Sequence, residues 1–103
     1  MALMQINVLP LGSGSSSVGE FVADIISTLE REGVKYELTD MGTVVEGEVV
    51  ALLKLAALVH EVPFQKGEER VVTQIAIDDR RDRKVAIGDK VSSVEHRLES
   101  TGS

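Results

Sequence analysis

The residues with chemistry to offer concentrate in two stretches, Thr39-Asp40-Met41-Gly42-Thr43 and Asp78-Asp79-Arg80-Arg81-Asp82-Arg83. The first gathers hydroxyls and backbone amides around an acidic turn former followed by glycine, and no nucleophile in it has a partner base. Groups of that kind hold a small polar molecule rather than react with it. The second stretch has three carboxylates, which would suit a metal, but the interleaved arginines pair with them first, so it reads as a solvated or intersubunit ion-pair cluster. His60 and His96 fall on separate predicted helices, with no cysteine or carboxylate at ligand spacing beside a second histidine, and read as ordinary helix residues. No serine or threonine is tied to a base in a triad order. No catalytic residue, metal ligand or cofactor is therefore expected. Gly12 to Ser17 precedes a helix start, where amides and hydroxyls can cradle an anion or a polar ring edge, but it lacks the lysine of a phosphate loop and by itself is a loop.

These groups must be positioned by a small number of regular elements. Lys35 to Glu48 alternates on both sides of Asp40-Met41-Gly42 and predicts a hairpin. Leu3 to Pro10 is a strand with Met4, Ile6 and Val8 on one face and Gln5, Asn7 and Leu9 on the other. Ser17-Val18-Gly19-Glu20 matches a capping box, and Val18, Phe21, Val22, Ile25, Ile26 and Leu29 then share one helical face as far as Gly33. A second helix is expected over Glu48 to Lys66. Its core stripe is read as Val49, Leu52, Leu53, Ala56 and Val59, with a further apolar stripe through Leu55, Leu58 and Val62, and Pro63 should kink or end it. Arg70 to Asp78 alternates again, and Ile87 to Leu98 makes a third helix through Ile87, Val91, Val94 and Leu98. The order implies an α+β, ferredoxin-like βαββαβ antiparallel sheet with an additional C-terminal helix, a single domain over residues 1–98 and a disordered tail over 99–103.

Size and charge narrow the function. A chain of 103 residues holds one hydrophobic core, and 43% apolar with 27% charged residues is an ordinary globular composition. There is no cysteine, which suits a reducing cytoplasm. The start shows no signal-peptide pattern, and the longest apolar run, Val49 to Val59, is interrupted by Lys54 and falls short of the roughly 20 residues that span a bilayer. A formal charge of −6 disfavours nucleic acid as a partner. The sheet face away from the helices would carry Gln5, Asn7, Leu9, Val72, Gln74 and Ala76, which is uncharged and suggests cover by another subunit.

Three stretches together resemble the small thiamine-binding protein family: Asn7 to Ser13, Tyr36 to Gly47 with its Met-Gly-Thr-x-x-Glu-Gly segment, and Arg70-Val71-Val72 running on to Asp78-Asp79-Arg80-Arg81-Asp82. That family usually shows proline where Asp40 stands and threonine where Ser13 stands. The resemblance implies a ferredoxin-like homotetramer, a dimer of dimers, that binds thiamine or its hydroxymethylpyrimidine half without turnover. An aminopyrimidine needs a few amide or hydroxyl partners and a flat apolar contact, which Ser13, Ser15, Thr39, Met41 and Thr43 can supply beside Gly42. Glu46 or Asp78 would attract the cationic thiazolium. Competing readings are weaker. An RNA-recognition module of the same topology needs stacking aromatics, and the chain has only Phe21, Tyr36 and Phe64. An acylphosphatase-like enzyme needs an arginine in the loop after the first strand, where none stands. A purely structural or sensing oligomer is the remaining alternative.

Overall fold

In the computed structural model, which describes residues 1–12 and 18–101, the elements are β1 (Ala2–Pro10), α1 (Val18–Arg31), β2 (Lys35–Thr39), β3 (Gly42–Gly47), α2 (Val49–His60), α3 (Val62–Gln65), β4 (Val71–Asp79) and α4 (Asp89–Thr101). The strands form one antiparallel sheet in the order β2-β3-β1-β4. This is the ferredoxin-like arrangement that the periodicity predicts, with α4 appended.

β1 lies in the middle. It pairs with β3 from Ala2–Gly47 to Ile6–Thr43 and with β4 from Ala2–Asp79 to Pro10–Val71. Because side chains alternate, its even positions Ala2, Met4 and Ile6 are buried beneath the helices together with Val45, while its odd positions face the other way. α1 covers this layer with Phe21, Ile25 and Leu29, spaced four residues apart. It stops where Gly33 takes φ +70°: the Gly33 amide donates to the carbonyl of Glu30 at 3.1 Å and the Val34 amide to that of Leu29 at 3.4 Å. That pair of bonds satisfies carbonyls the helix end would leave open, and Val34 packs back onto the core beside Leu29. Of the predicted capping box, Ser17 lies outside the described residues.

α2 corrects the predicted stripe. Its buried residues are Leu52, Leu55, Ala56 and Val59, while Leu53 is 49% exposed. Leu55, assigned to the second stripe, faces the core, and Leu58 remains outside it. A helix that is apolar on most sides carries little phase information, so the sheet it lands on selects the face. The expected interruption occurs: α2 ends at His60, and Pro63 sits buried in the first turn of α3, where a missing amide hydrogen is tolerated.

Cover over β4 is incomplete. Ile75 shares the helix-side face with Met4 and Ile6 by register yet is 43% exposed. α4 begins at Asp89, two residues later than Ile87, and continues through Thr101, into the stretch expected to be an irregular tail. Residues 102–103 lie outside the described residues. Positions 89–100 are all exposed. The radius of gyration is 15.9 Å, against roughly 13 Å for a compact domain of this length, and the projecting α4 accounts for the excess.

The phase of α2 is directly testable. Leu52→Ala should cost about 2–5 kcal/mol in urea unfolding at fixed protein concentration, whereas Leu53→Ala should cost less than about 1.5 kcal/mol. Equal losses would contradict the assigned face.

Candidate functional site

The hairpin bend is built from its own side chains. Asp40 and Met41 join β2 to β3, with Thr39 opposite Gly42. Neither Asp40 nor Met41 has a positive φ; Gly42 carries it, at +148°. The Thr39 hydroxyl donates to the Gly42 carbonyl at 2.8 Å and accepts from the Met41 amide at 3.2 Å, closing the bend. A side chain at position 42 would be strained by that φ, and its Cβ would also sit 2.8 Å from Asn7 Oδ1. Glycine is thus needed both for conformation and for the approach of the Asn7 carboxamide.

Beside the bend, between the sheet and α1, lies a cavity of about 530 Å³. Ile6, Val8 and Thr43 line it from the sheet. Gly19, Val22 and Ile25 form the α1 wall, and Leu38, Thr39 and Asp40 form the β2 wall. The lining is mainly apolar, and Thr43, only 6% exposed, contributes a hydroxyl that makes no hydrogen bond to another described residue. Two cross-links hold α1 in place. The Tyr36 hydroxyl donates to Glu30 Oε1 at 2.7 Å, which commits its proton and raises the phenol pKa. Lys66 Nζ lies 3.0 Å from Asp24 Oδ2, and that carboxylate raises the ammonium pKa.

The residues predicted for the site divide. Thr39, Gly42 and Thr43 line the cavity together. Met41 is 79% exposed at the tip of the bend and is not part of the lining. Ser13 and Ser15 lie outside the described residues; Leu9 and Gly19, on either side of that segment in the chain, both line the cavity. Glu46 does not reach it. As the neighbour of buried Val45 it points to the opposite sheet face, where Glu46 Oε1 accepts the Ile87 amide at 2.9 Å and lies 3.8 Å from Lys35 Nζ. Asp78 shares that face, since Leu3 is paired with Glu46 on one side and Asp78 on the other. The carboxylate at the cavity is Asp40 instead. Val22, Ile25 and Leu38 were legible as apolar positions but not as walls. Asn7 carried a usable signal, because it begins the first of the family-like stretches.

The charged stretch after β4 resolves into local ion pairs. Arg80 forks onto Asp82 at 2.8 and 2.7 Å, and Arg81 contacts Asp79 at 3.1 and 2.9 Å. Among the described residues, no three histidine, cysteine or carboxylate side chains cluster as metal ligands. His60 Nδ1 is 2.7 Å from Thr73 Oγ1, and its ring meets Phe64 edge-on at 5.4 Å, so it is a packed helix residue.

Known proteins share both the sequence pattern and the fold. Residues 4–95 match the sequence profile of the family described as thiamine-binding protein. The UPF0045 protein YqgV of Bacillus subtilis is 44% identical, over 96% of this chain and 99% of that one. A UPF0045 protein of Methanothermobacter thermautotrophicus is 37% identical, over 95% and 100%. Among solved structures, the hypothetical protein MJ1052 of Methanocaldococcus jannaschii superposes with a TM-score of 0.80 at 30% identity, covering 91% of this chain and 95% of that one. A candidate thiamine biosynthesis/salvage protein of Thermotoga maritima superposes with a TM-score of 0.73 at 25% identity, covering 90% and 97%.

One titration checks the charged connector. The Arg80 guanidinium holds the Asp82 carboxyl at about 2, below its ordinary 3.8. The pairing is therefore complete above pH 3.8 and lost as the pH falls through about 2. Carboxyl-detected NMR should show that midpoint, and Arg80→Ala should move it back toward 3.8. An ordinary midpoint in the unaltered protein would contradict the fork.

Proposed function

The chain belongs to the thiamine-binding protein family, and from that premise we propose that it binds thiamine or its hydroxymethylpyrimidine half, without turnover, in the cavity between α1 and the hairpin. The observation that carries this reading is the hydroxyl of Thr43, a buried residue whose side chain makes no hydrogen bond to another described residue, in a recess that Ile6, Val8, Val22, Ile25 and Leu38 make mainly apolar. A flat heteroaromatic ring with amino and ring-nitrogen edges fits such a recess: Ile6, Val22 and Leu38 offer the apolar contact and Thr43 the directed hydrogen bond. The volume of about 530 Å³ lies within the range of small-molecule sites, ~300–1,000 Å³. Asp40 at the rim takes the place of Glu46 and Asp78 as the carboxylate facing a cationic thiazolium. The proposal includes a non-enzymatic role, since the described residues of the recess pair no nucleophile with a base, and a cytoplasmic location, which suits a cysteine-free chain.

Self-association as a homotetramer, a dimer of dimers, belongs to the same proposal. On α4, Val91, Val94 and Leu98 form an exposed apolar stripe at spacings of three and four. Edge strand β4 runs from Val71 to Ile77 without a charge or proline, with Ile75 and Ala76 exposed. Long unprotected edges and solitary apolar helix faces invite a second copy of the chain.

Calorimetry against thiamine and hydroxymethylpyrimidine tests the site. Thr43→Val should weaken binding by about 1 kcal/mol, or up to about 3 if a buried ligand group loses its partner. Val22→Trp should fill the recess and abolish binding with the far-UV spectrum preserved; undiminished affinity in both variants would place the ligand elsewhere. Light scattering at micromolar concentration should give a multiple of the 11.1 kDa chain mass, and Val94→Glu with Leu98→Glu should lower it. A single-chain mass for the unaltered protein would end the assembly proposal.

A further inference from the structure

A second cavity, of about 570 Å³, lies between the open sheet face near Leu3, the connector after β4, and α4. Five of the chain's 11 lysines and arginines line it: Arg80, Arg83, Lys84, Lys90 and Arg97. Of the 17 acidic residues only Asp78 and Asp89 do so. A chain with a formal charge of −6 has thus gathered five cations against two carboxylates in one recess. Local pairing does not neutralise them all. Arg80 is held by Asp82, and Asp89 Oδ2 accepts the Ala86 amide at 2.9 Å, but Arg83, Lys84 and Lys90 form no ion pair among the described residues.

The segment bearing these cations is also fixed in place. The Ile87 amide is tied to Glu46 Oε1, 41 residues away, at 2.9 Å, and the Ala86–Asp89 bond and the Arg80–Asp82 fork hold the chain on either side of it. Cations crowded in one recess repel each other, and a ligand that neutralises them need not order them first. Guanidinium and ammonium groups with nearby hydroxyls, here Ser92 and Ser93, match the oxygens of a phosphate.

We infer that this recess binds a small phosphorylated anion carrying two or more negative charges, at a site separate from the hairpin cavity. Of β1, Leu3 lines this recess and Ile6 lines the hairpin cavity; the two are about 10 Å apart along the strand at ~3.3 Å per residue and point to opposite faces, so the sheet stands between the two sites.

Calorimetry of the full chain at low ionic strength, with sodium pyrophosphate and sodium phosphate as probes, tests it. Pyrophosphate should bind saturably, one per chain, and more tightly than phosphate. Lys84→Ala with Lys90→Ala should weaken it roughly tenfold or more, from the loss of charge-assisted hydrogen bonds. Lys54→Ala, on an exposed part of α2 away from this recess, should leave it unchanged. Arg83→Gln gives a second variant, with native folding checked by circular dichroism, should the double variant misfold. Absence of saturable binding, or equal weakening by Lys54→Ala, would overturn the inference. So would tighter binding of a single-stranded RNA than of pyrophosphate, which would make the patch a nucleic-acid surface instead.

Discussion

The antiparallel pairing of β1 with a neighbour on each side fixes which side chains this protein buries. Met4 stands between Val45 and Ile77, and Leu3 between Glu46 and Asp78. Because a strand sends alternate side chains to opposite faces, that register sends Ala2, Met4 and Ile6 to the core and the carboxylates beside Leu3 to the other side. A slip of one residue between β1 and β3 would put Glu46 on the face of Met4, so that either a carboxylate is buried or Met4 is exposed, a change that burial energetics opposes without a compensating partner. Both recesses depend on this parity, one on each face of the sheet.

The hairpin recess exists because the core is filled unevenly. At one end of the helix layer, Met4, Leu29, Leu52 and Val45 are packed to full burial. Toward the bend, the facing positions are Gly19, Val22 and Thr43, which are smaller, and the described residues leave the space between them open. Close-packed interiors leave few such voids, so one lined mainly by apolar groups with the Thr43 hydroxyl facing it is a feature with a chemical preference. The Thr39 bonds across the bend and the Tyr36–Glu30 and Lys66–Asp24 links keep its walls at a set separation.

On the open side, the distribution of charge and apolar surface separates two roles. The β4 edge and the α4 stripe are apolar and suited to another copy of the chain, while the connector between them concentrates positive charge. Glu46, which does not reach the hairpin cavity, anchors that connector through the Ile87 amide. A carboxylate read as a ligand partner thus becomes a structural clasp.

What the sequence by itself determined was whatever has a local cause. Alternation in β1 and β4, the four-residue spacing of Phe21, Ile25 and Leu29, the glycine at Gly42 and the interruption at Pro63 each follow from sterics or from burial of one face, and each is present in the structure. That Thr39, Gly42 and Thr43 lie together was legible for the same reason, since turn chemistry and strand parity bring them to one recess. Tertiary structure alone decided the rest. α2, apolar on most sides, took the face that the sheet presented, burying Leu55 and exposing Leu53. The parity of β3 turned Glu46 away from the cavity, and only the docking of α1 made walls of Val22 and Ile25 and brought Asp40 to the rim. The cationic recess required α4, the connector and the edge of β1 to meet, a juxtaposition of residues from opposite ends of the chain that depends on long-range packing and leaves no periodic trace in the sequence.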